Sequence, residues 1–185
     1  MLSRPLCGRE NTGGIGMDKN IVLIGMMGSG KTTVGALLAR RRCRPFVDTD
    51  ARIEEREGRS IPDIFTQDGE DVFRAMELKL SKELSGQSGL IIACGGGLPT
   101  RDGAIAALKE TGLVFWLDRD PAETYDALDV SGRPLAQSGR EDFIRRYQSR
   151  APVYRRWADY FIPCGDGPAA AEALISTIYL EVSQP

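Results

Sequence analysis

The chain has 185 residues, of which 42% are hydrophobic and 27% charged, a composition typical of one globular domain. Its formal net charge is -2, with both signs spread along the chain, so no basic stripe indicates nucleic acid and no polybasic run indicates a membrane surface. The sequence contains no histidine, which excludes Ser-His-Asp and Cys-His catalysis, so we expect any catalytic base to be a carboxylate.

The first sixteen residues, MLSRPLCGRENTGGIG, lack the apolar segment of a signal peptide. No apolar run approaches the roughly 20 residues that span a bilayer. We therefore expect a cytoplasmic protein with a flexible leader over residues 1–17 and a single domain over residues 18–185. Met17 stands just before the first predicted strand and is a possible true start.

Short apolar runs alternate with amphipathic stretches along the chain. In chain order, strands are predicted at residues 20–25, 45–47, 90–93, 113–117 and 160–162. Helices are predicted at residues 31–42, 51–57, after an N-cap at Ser60, at 67–84, 104–109, from Pro121, at 141–158 and at 169–181. Residues 130–139 contain glycine and proline and are predicted to form a loop. Strands that alternate with helices predict an α/β fold with a parallel sheet.

The sequence GMMGSGKT at residues 25–32 matches the P-loop pattern GxxxxGK[ST], directly after a predicted strand and opening a predicted helix. Backbone amides of the loop and the helix N-terminus would hold phosphate oxygens, Lys31 would reach the β- and γ-phosphates, and the Thr32 hydroxyl would ligate Mg²⁺. A structural glycine turn is the alternative, but the strand, the helix and both side chains favour nucleotide binding. The predicted nucleotide-binding residues are Gly28, Ser29, Gly30, Lys31, Thr32 and Thr33.

Two other classes of P-loop protein fit less well. A GTPase would normally carry an N-K-x-D motif that reads the base, and the chain has none. An AAA-type ATPase would be longer and would carry a hydrophobic run that ends in an acidic pair. The second predicted strand instead ends in Asp48-Thr49-Asp50. The remaining class is a small kinase.

Asp48 and Asp50 lie two residues apart at the end of a predicted strand, where ligands gather in a parallel sheet. One carboxylate can hold a metal-bound water beside Thr32, and the other can orient a substrate hydroxyl. The alternative is that they cap the following helix, because Asp is a good N-cap. The nearby P-loop favours the functional interpretation.

Three further features are weak when taken singly. Arg74 follows a phenylalanine in GEDVFRAME, and it could be an ordinary ion-pair partner of Glu70 or Glu77. Three glycines at residues 95–97 end a buried strand, which suits close approach of backbone to a ligand or a loose turn. Residues 150–156 form a cationic cluster.

Together these features resemble shikimate kinase. The resemblance covers residues 21–168 and rests on GMMGSGKTTVG, FVDTD, SIPDIF, DGEDVFRAME, ACGGGLPT, GRPLA and YQSRAPVYRRWAD, a set much more specific than the P-loop alone. It implies transfer of the γ-phosphoryl group of ATP to the 3-hydroxyl of shikimate, with Mg²⁺, in the pathway to aromatic amino acids. It also implies a monomer with a five-stranded parallel sheet flanked by helices, as in adenylate kinase, and a mobile lid at residues 126–140.

The resemblance also implies residue roles. Asp48, with Thr32, would hold Mg²⁺ through water, and Asp50 would contact the shikimate hydroxyl as the candidate base. Lys31 and Arg133 would be catalytic, with Arg133 carried by the lid onto the transferring phosphate and the nucleotide. The other implied contacts are Arg74 (supported by Glu77), Arg150, Gly95, Gly96 and Gly97 to shikimate, and Pro168 to the nucleotide.

The chain departs from the family at one place. Family members usually carry an arginine about seven residues before RPL, but residues 123–129 read ETYDALD, and RPLA replaces RPLL. We therefore expect weaker nucleotide binding, unless Arg155, Arg156 or the segment before Pro168 compensates. A gluconate or nucleoside monophosphate kinase of the same fold remains an alternative, as does a non-catalytic relative, which only the missing arginine favours.

Overall fold

The computed structural model describes residues 19–128 and 139–182, which form a five-stranded sheet with helices on both faces. The strands are β1 (Asn20–Ile24), β2 (Phe46–Asp48), β3 (Ile91–Ala93), β4 (Gly112–Asp118) and β5 (Tyr160–Pro163). Every pairing is parallel, and the order across the sheet is β2-β3-β1-β4-β5. The predicted five-stranded parallel sheet is confirmed.

Eight α-helices connect or follow these strands in the described part of the chain, together with a 3-10 turn at Leu98–Thr100. The helices are α1 (Lys31–Arg42), α2 (Thr49–Glu57), α3 (Ile61–Gln67), α4 (Glu70–Ser85), α5 (Asp102–Thr111), α6 (Pro121–Asp126), α7 (Arg140–Trp157) and α8 (Pro168–Val182). Within these ranges no helix is long and apolar enough to cross a membrane.

The predicted helix over residues 67–84 was wrong about its start. α3 ends at Gln67 and α4 begins at Glu70, because Gly69 adopts a φ of 86° that interrupts the helical backbone. Ser60 caps α3 as expected, since its side chain accepts a hydrogen bond from the backbone N–H of Asp63 at 3.3 Å.

Strand β1 lies at the centre of the sheet, and all five of its residues are buried. Ile21 and Leu23 face an apolar cluster that includes residues of α1 and α8. Val22 and Ile24 face a second cluster on the opposite side, with residues of α2 to α5 and α7. The two clusters fix the sheet between its helical layers and hold the carboxyl ends of the strands in register.

The chain runs from β1 towards one edge of the sheet and from β3 towards the other, although the two strands are neighbours. Such a switch in direction opens a crevice above the carboxyl ends of the strands. The P-loop, Asp48 and the glycines at residues 95–97 all follow strands at this edge. The predicted leader and residues 129–138 of the predicted lid lie outside the described residues, so both stay predictions.

Candidate active site

The P-loop between β1 and α1 encloses the side chain of Lys31, which is only 8% exposed. Lys31 Nζ donates hydrogen bonds to the carbonyl oxygens of Gly25 at 2.9 Å and Met26 at 2.8 Å. Gly30 has a φ of 95° and directly precedes α1, so the first amides of that helix begin at the loop. The ammonium group therefore lies where a P-loop lysine meets phosphate.

One end of the crevice is occupied by Asp48, whose two oxygens have different partners. The Thr32 hydroxyl donates to Oδ2 at 2.8 Å. Oδ1 accepts from the backbone N–H groups of Asp50 at 3.1 Å and Ala51 at 3.4 Å, which caps α2. The capping and functional interpretations are therefore compatible, because one carboxylate caps α2 and also faces the P-loop.

Asp50 lies in the first turn of α2 with its Oδ1 buried and without a hydrogen-bond partner among the described residues. Burial, and then the negative charge of Asp48, raise the pKa of Asp50 to about 6, although the positive charge of Lys31 acts in the opposite direction. A buried, unpartnered carboxylate oxygen beside a P-loop is suited to accept a hydroxyl hydrogen from a substrate.

Gly95 approaches this carboxylate closely. A Cβ atom at residue 95 would lie 2.1 Å from Asp50 Oδ1, so a side chain there would force the Asp50 carboxylate to move. The Gly95 N–H donates to Thr49 Oγ1 at 2.9 Å and so connects the loop after β3 to α2. Sequence reasoning missed this role of Thr49, whose type and position before Asp50 were the only available signal.

We expect Gly95→Ala to lower kcat with shikimate at least tenfold, because the added methyl group displaces the Asp50 carboxylate by more than an ångström. Gly103→Ala is the matched control, since a Cβ there would make only an ordinary 3.4 Å contact with Leu78. Steady-state kinetics of both variants check this. Equal activity of the two would contradict the assigned contact.

Arg74 on α4 is fixed by two carboxylates. Its Nη1 donates to Glu77 Oε2 at 2.7 Å, and its Nε and Nη2 donate to Glu70 Oε1 at 3.0 and 2.8 Å. A Cβ at Gly97 would lie 2.7 Å from Arg74 Nη1, so the guanidinium lies against the glycine loop. These bonds use three of the five N–H donors, which leaves two for an anion. The ion pair with Glu70 or Glu77 and the implied contact to a substrate anion are therefore compatible.

Glu77 is 1% exposed, and burial raises its pKa to about 6 from 4.5, although Arg74 opposes the shift. A carboxyl group with a raised folded-state pKa stabilises the fold fully below its unfolded pKa and loses that contribution as pH rises through about 6. The free energy of unfolding of the wild-type protein, compared with that of Glu77→Gln, should thus fall by about 2 kcal/mol between pH 4 and pH 7. Urea unfolding across this range measures it, and a constant difference would refute the assignment.

Helix α7 supplies two side chains to the carbonyl oxygen of Gly96. Arg150 Nη1 donates to it at 3.4 Å, and the hydroxyl of Tyr154, one turn further along, donates at 2.7 Å. Arg150 is a predicted substrate contact, whereas sequence reasoning placed Tyr154 only in a cationic cluster. Their i, i+4 spacing puts both on one helix face, which was the available signal.

The other predicted residues lie outside this cluster of contacts. Arg133 lies outside the described residues. Pro168 is exposed at the start of α8, Thr33 is exposed on α1, and Ser29 is buried with no hydrogen-bond partner for its hydroxyl among the described residues. Arg156 binds Asp102 at the start of α5, so its described contacts do not assign it to a nucleotide.

Helix α6 lies against the P-loop. A Cβ at Gly28, whose φ is 79°, would lie 2.8 Å from the side chains of both Thr124 and Leu128. Asp126, in the acidic segment at residues 123–129, accepts hydrogen bonds from Arg140 Nε and Nη2 at 3.0 and 3.2 Å. The acidic segment therefore begins beside the loop that is expected to hold phosphates.

Comparisons with known proteins identify relatives of this chain. The family model described as shikimate kinase matches residues 27–180. A shikimate kinase of Clostridium botulinum (strain Eklund 17B / Type B) is 39% identical over 140 residues, which is 76% of this chain and 84% of that protein. One of Prochlorococcus marinus (strain NATL2A) is 44% identical over 156 residues, covering 82% and 76% of the two chains.

Solved structures give the same result. Shikimate kinase from Acinetobacter baumannii in complex with shikimate has a TM-score of 0.81 at 35% identity, over 90% of this chain and 94% of that one. A gluconokinase from Sinorhizobium meliloti 1021 has a TM-score of 0.55 at 16% identity, over 90% and 96%, which shows a common fold alone. By sequence and by structure, this chain belongs to the shikimate kinase family.

Proposed function

We propose residue roles for the ATP-dependent phosphorylation of the 3-hydroxyl of shikimate, the reaction of this family. The observation that carries the assignment is the position of Asp50. Its carboxylate, whose Oδ1 has no hydrogen-bond partner among the described residues, lies beside Gly95 in a crevice that also contains Lys31 and Arg74. A base, a phosphate-binding cation and an anion clamp are the three groups that phosphorylation of a hydroxylated carboxylate requires.

The P-loop would bind the phosphates of ATP. Lys31 would leave the carbonyl oxygens of Gly25 and Met26 and meet the β- and γ-phosphates, which are stronger acceptors because they carry charge. The amides at the start of α1 would add their partial positive charge. Together these groups stabilise the charge that develops on the transferred phosphoryl group.

Thr32 and Asp48 fit Mg²⁺. Both present oxygen atoms, which this cation prefers, and their hydrogen bond of 2.8 Å places them together. Among the described residues no group of three or more metal-ligating side chains occurs. That suits Mg²⁺, which usually keeps several waters and takes ligands from substrate phosphates. When bound, the ion neutralises phosphate charge, and Asp48 would hold it through water.

Shikimate would lie over the glycine loop. The guanidinium groups of Arg74 and Arg150 flank that loop and would bind the substrate carboxylate, for which planar guanidinium groups are well suited. Asp50 would accept the proton of the 3-hydroxyl group as it attacks the γ-phosphorus. The amides at residues 95–97 would hydrogen-bond the remaining hydroxyls. Arg133 stays a proposal as the lid arginine.

A coupled assay with ATP tests this function. ADP formation should require both Mg²⁺ and shikimate, and it should be far slower with gluconate or AMP as the acceptor. Phosphorylation of gluconate but not shikimate would overturn the substrate assignment. Absence of turnover with any acceptor would favour a non-catalytic relative.

We also expect weaker ATP binding than is usual in the family, because Asp126 stands where an arginine is usual. Asp126→Arg should lower the KM for ATP about threefold to tenfold, the range expected for a cation stacked on an aromatic base. Asp126→Ala is the control, since it breaks the pair with Arg140 without adding a cation. An unchanged KM in Asp126→Arg, or a wild-type KM at or below that of ordinary family members, would contradict this.

A further inference from the structure

A cavity lies at the edge of the sheet where β5 passes the end of α7. Its volume is about 320 Å³, at the lower end of the range for pockets that bind small molecules. It is lined by Trp116, Arg155, Ala158, Asp159, Tyr160 and Phe161. None of these residues is used in the catalytic roles assigned above.

The walls of this cavity are aromatic. Phe161 is 52% exposed, although phenylalanine is usually buried. Its ring meets the edge of Trp116 at a centroid distance of 5.3 Å and an interplanar angle of 83°. Trp116 is itself only 2% exposed, so the ring of Phe161 is the aromatic surface that a ligand can reach.

One carboxylate and one guanidinium line this cavity. Asp159 is already compensated, because its carboxylate accepts from Lys109 Nζ at 2.6 Å and from the backbone N–H of Val114 at 2.9 Å. Arg155 makes no hydrogen bond or ion pair within residues 19–128 and 139–182. The carboxylate that acts on it electrostatically, Asp118, is engaged by the hydroxyl of Tyr147 at 2.7 Å. The guanidinium of Arg155 is therefore available to a ligand.

We propose that this cavity binds a small aromatic molecule that carries a carboxylate. The ring would pack against Phe161, and the carboxylate would pair with Arg155. The site is separate from the crevice above the strands, since its lining comes from β4, β5 and the end of α7.

Phenylacetate is a suitable probe, with its neutral analogue phenylacetamide and the cation phenethylamine as controls. Nuclear magnetic resonance of the full ¹⁵N-labelled chain would follow the indole N–H of Trp116, which Trp157→Phe distinguishes from the other tryptophan. We expect a saturable shift with phenylacetate, about threefold to fivefold weaker binding of phenylacetamide, and the weakest binding of phenethylamine. Saturating shikimate should leave the phenylacetate shift in place.

Two variants separate the contribution of the positive charge from that of the aromatic ring. Arg155→Gln should weaken phenylacetate about threefold to fivefold, to the level of phenylacetamide, without changing phenylacetamide binding. Phe161→Ser should weaken both probes at least fivefold. Arg156→Gln is the matched control, because its guanidinium pairs with Asp102 and does not line the cavity. Unchanged far-UV circular dichroism and thermal unfolding in each variant would show that the fold is intact.

Several outcomes would overturn the proposal. One is the absence of a saturable shift up to about 20 mM phenylacetate, the concentration at which binding of so small a ligand should be visible. The others are equal binding of all three probes, competition between shikimate and phenylacetate, and an unchanged affinity for phenylacetate in Arg155→Gln. None of these results bears on phosphorylation of shikimate, so the two assignments can fail separately.

Discussion

Replacing Asp50 by asparagine should lower kcat by about 10²- to 10⁴-fold, the range typical for loss of a general base. Asparagine has the same shape, so the contact with Gly95 and the start of α2 should be retained. It cannot accept the proton of the shikimate hydroxyl. Pre-steady-state and steady-state rates measure the loss, and equilibrium ATP binding should remain within about threefold because Asp50 contacts no predicted phosphate group.

Asp71→Asn is the matched control for Asp50→Asn. Asp71 lies in the first turn of a helix too, but its side chain is fully exposed and its nearest cation, Arg101, is 3.9 Å away. We expect wild-type rates in this control. If Asp50→Asn kept a tenth or more of wild-type kcat, the carboxylate would not be the base, and positioning by the surrounding groups would have to account for the reaction.

Replacing Lys31 by methionine should lower kcat by about 10²- to 10³-fold, as expected when one donor to a developing charge is removed. Methionine fills a similar volume in this nearly buried position but provides no ammonium group. The β- and γ-phosphates would lose the cation proposed to bind them, so the KM for ATP should rise as well.

Lys79→Met is the control for Lys31→Met, because Lys79 is exposed on α4 and its replacement removes the same positive charge from the chain. Thermal unfolding should show both variants folded. A Lys31→Met enzyme with normal kcat and a raised KM for ATP alone would mean that the ammonium group binds ground-state and transition-state phosphate equally.

The P-loop was predictable because its information is local. Glycines, lysine and threonine at fixed spacing encode the backbone path from β1 to α1, and no distant residue is needed to recognise it. The placement of Asp48 and Asp50 followed from one further rule, that ligands gather at the carboxyl ends of parallel strands. The five-stranded sheet came through the resemblance to a known family, whereas the order of the strands across it was not predicted.

The contacts that assemble the glycine loop were not predictable. Tyr154 and Gly96 are 58 residues apart in the chain, and Thr49 and Gly95 are 46 apart, so no local pattern joins them. The start of α4 was placed too early, at residue 67, because one glycine between two amphipathic runs is often tolerated within a helix. The surroundings of Arg155 bring residues of β4 and β5 to the end of α7, a juxtaposition that sequence periodicity does not define.

The two outermost strands of the sheet, β2 and β5, have only three and four residues. An open edge of this length offers few unpaired backbone groups to a strand from another molecule, and Pro163 removes one further donor at the end of β5. The longer strands β1 and β4 are paired on both sides. The short edge strands β2 and β5 therefore disfavour strand-to-strand aggregation, independently of the residues in the crevice.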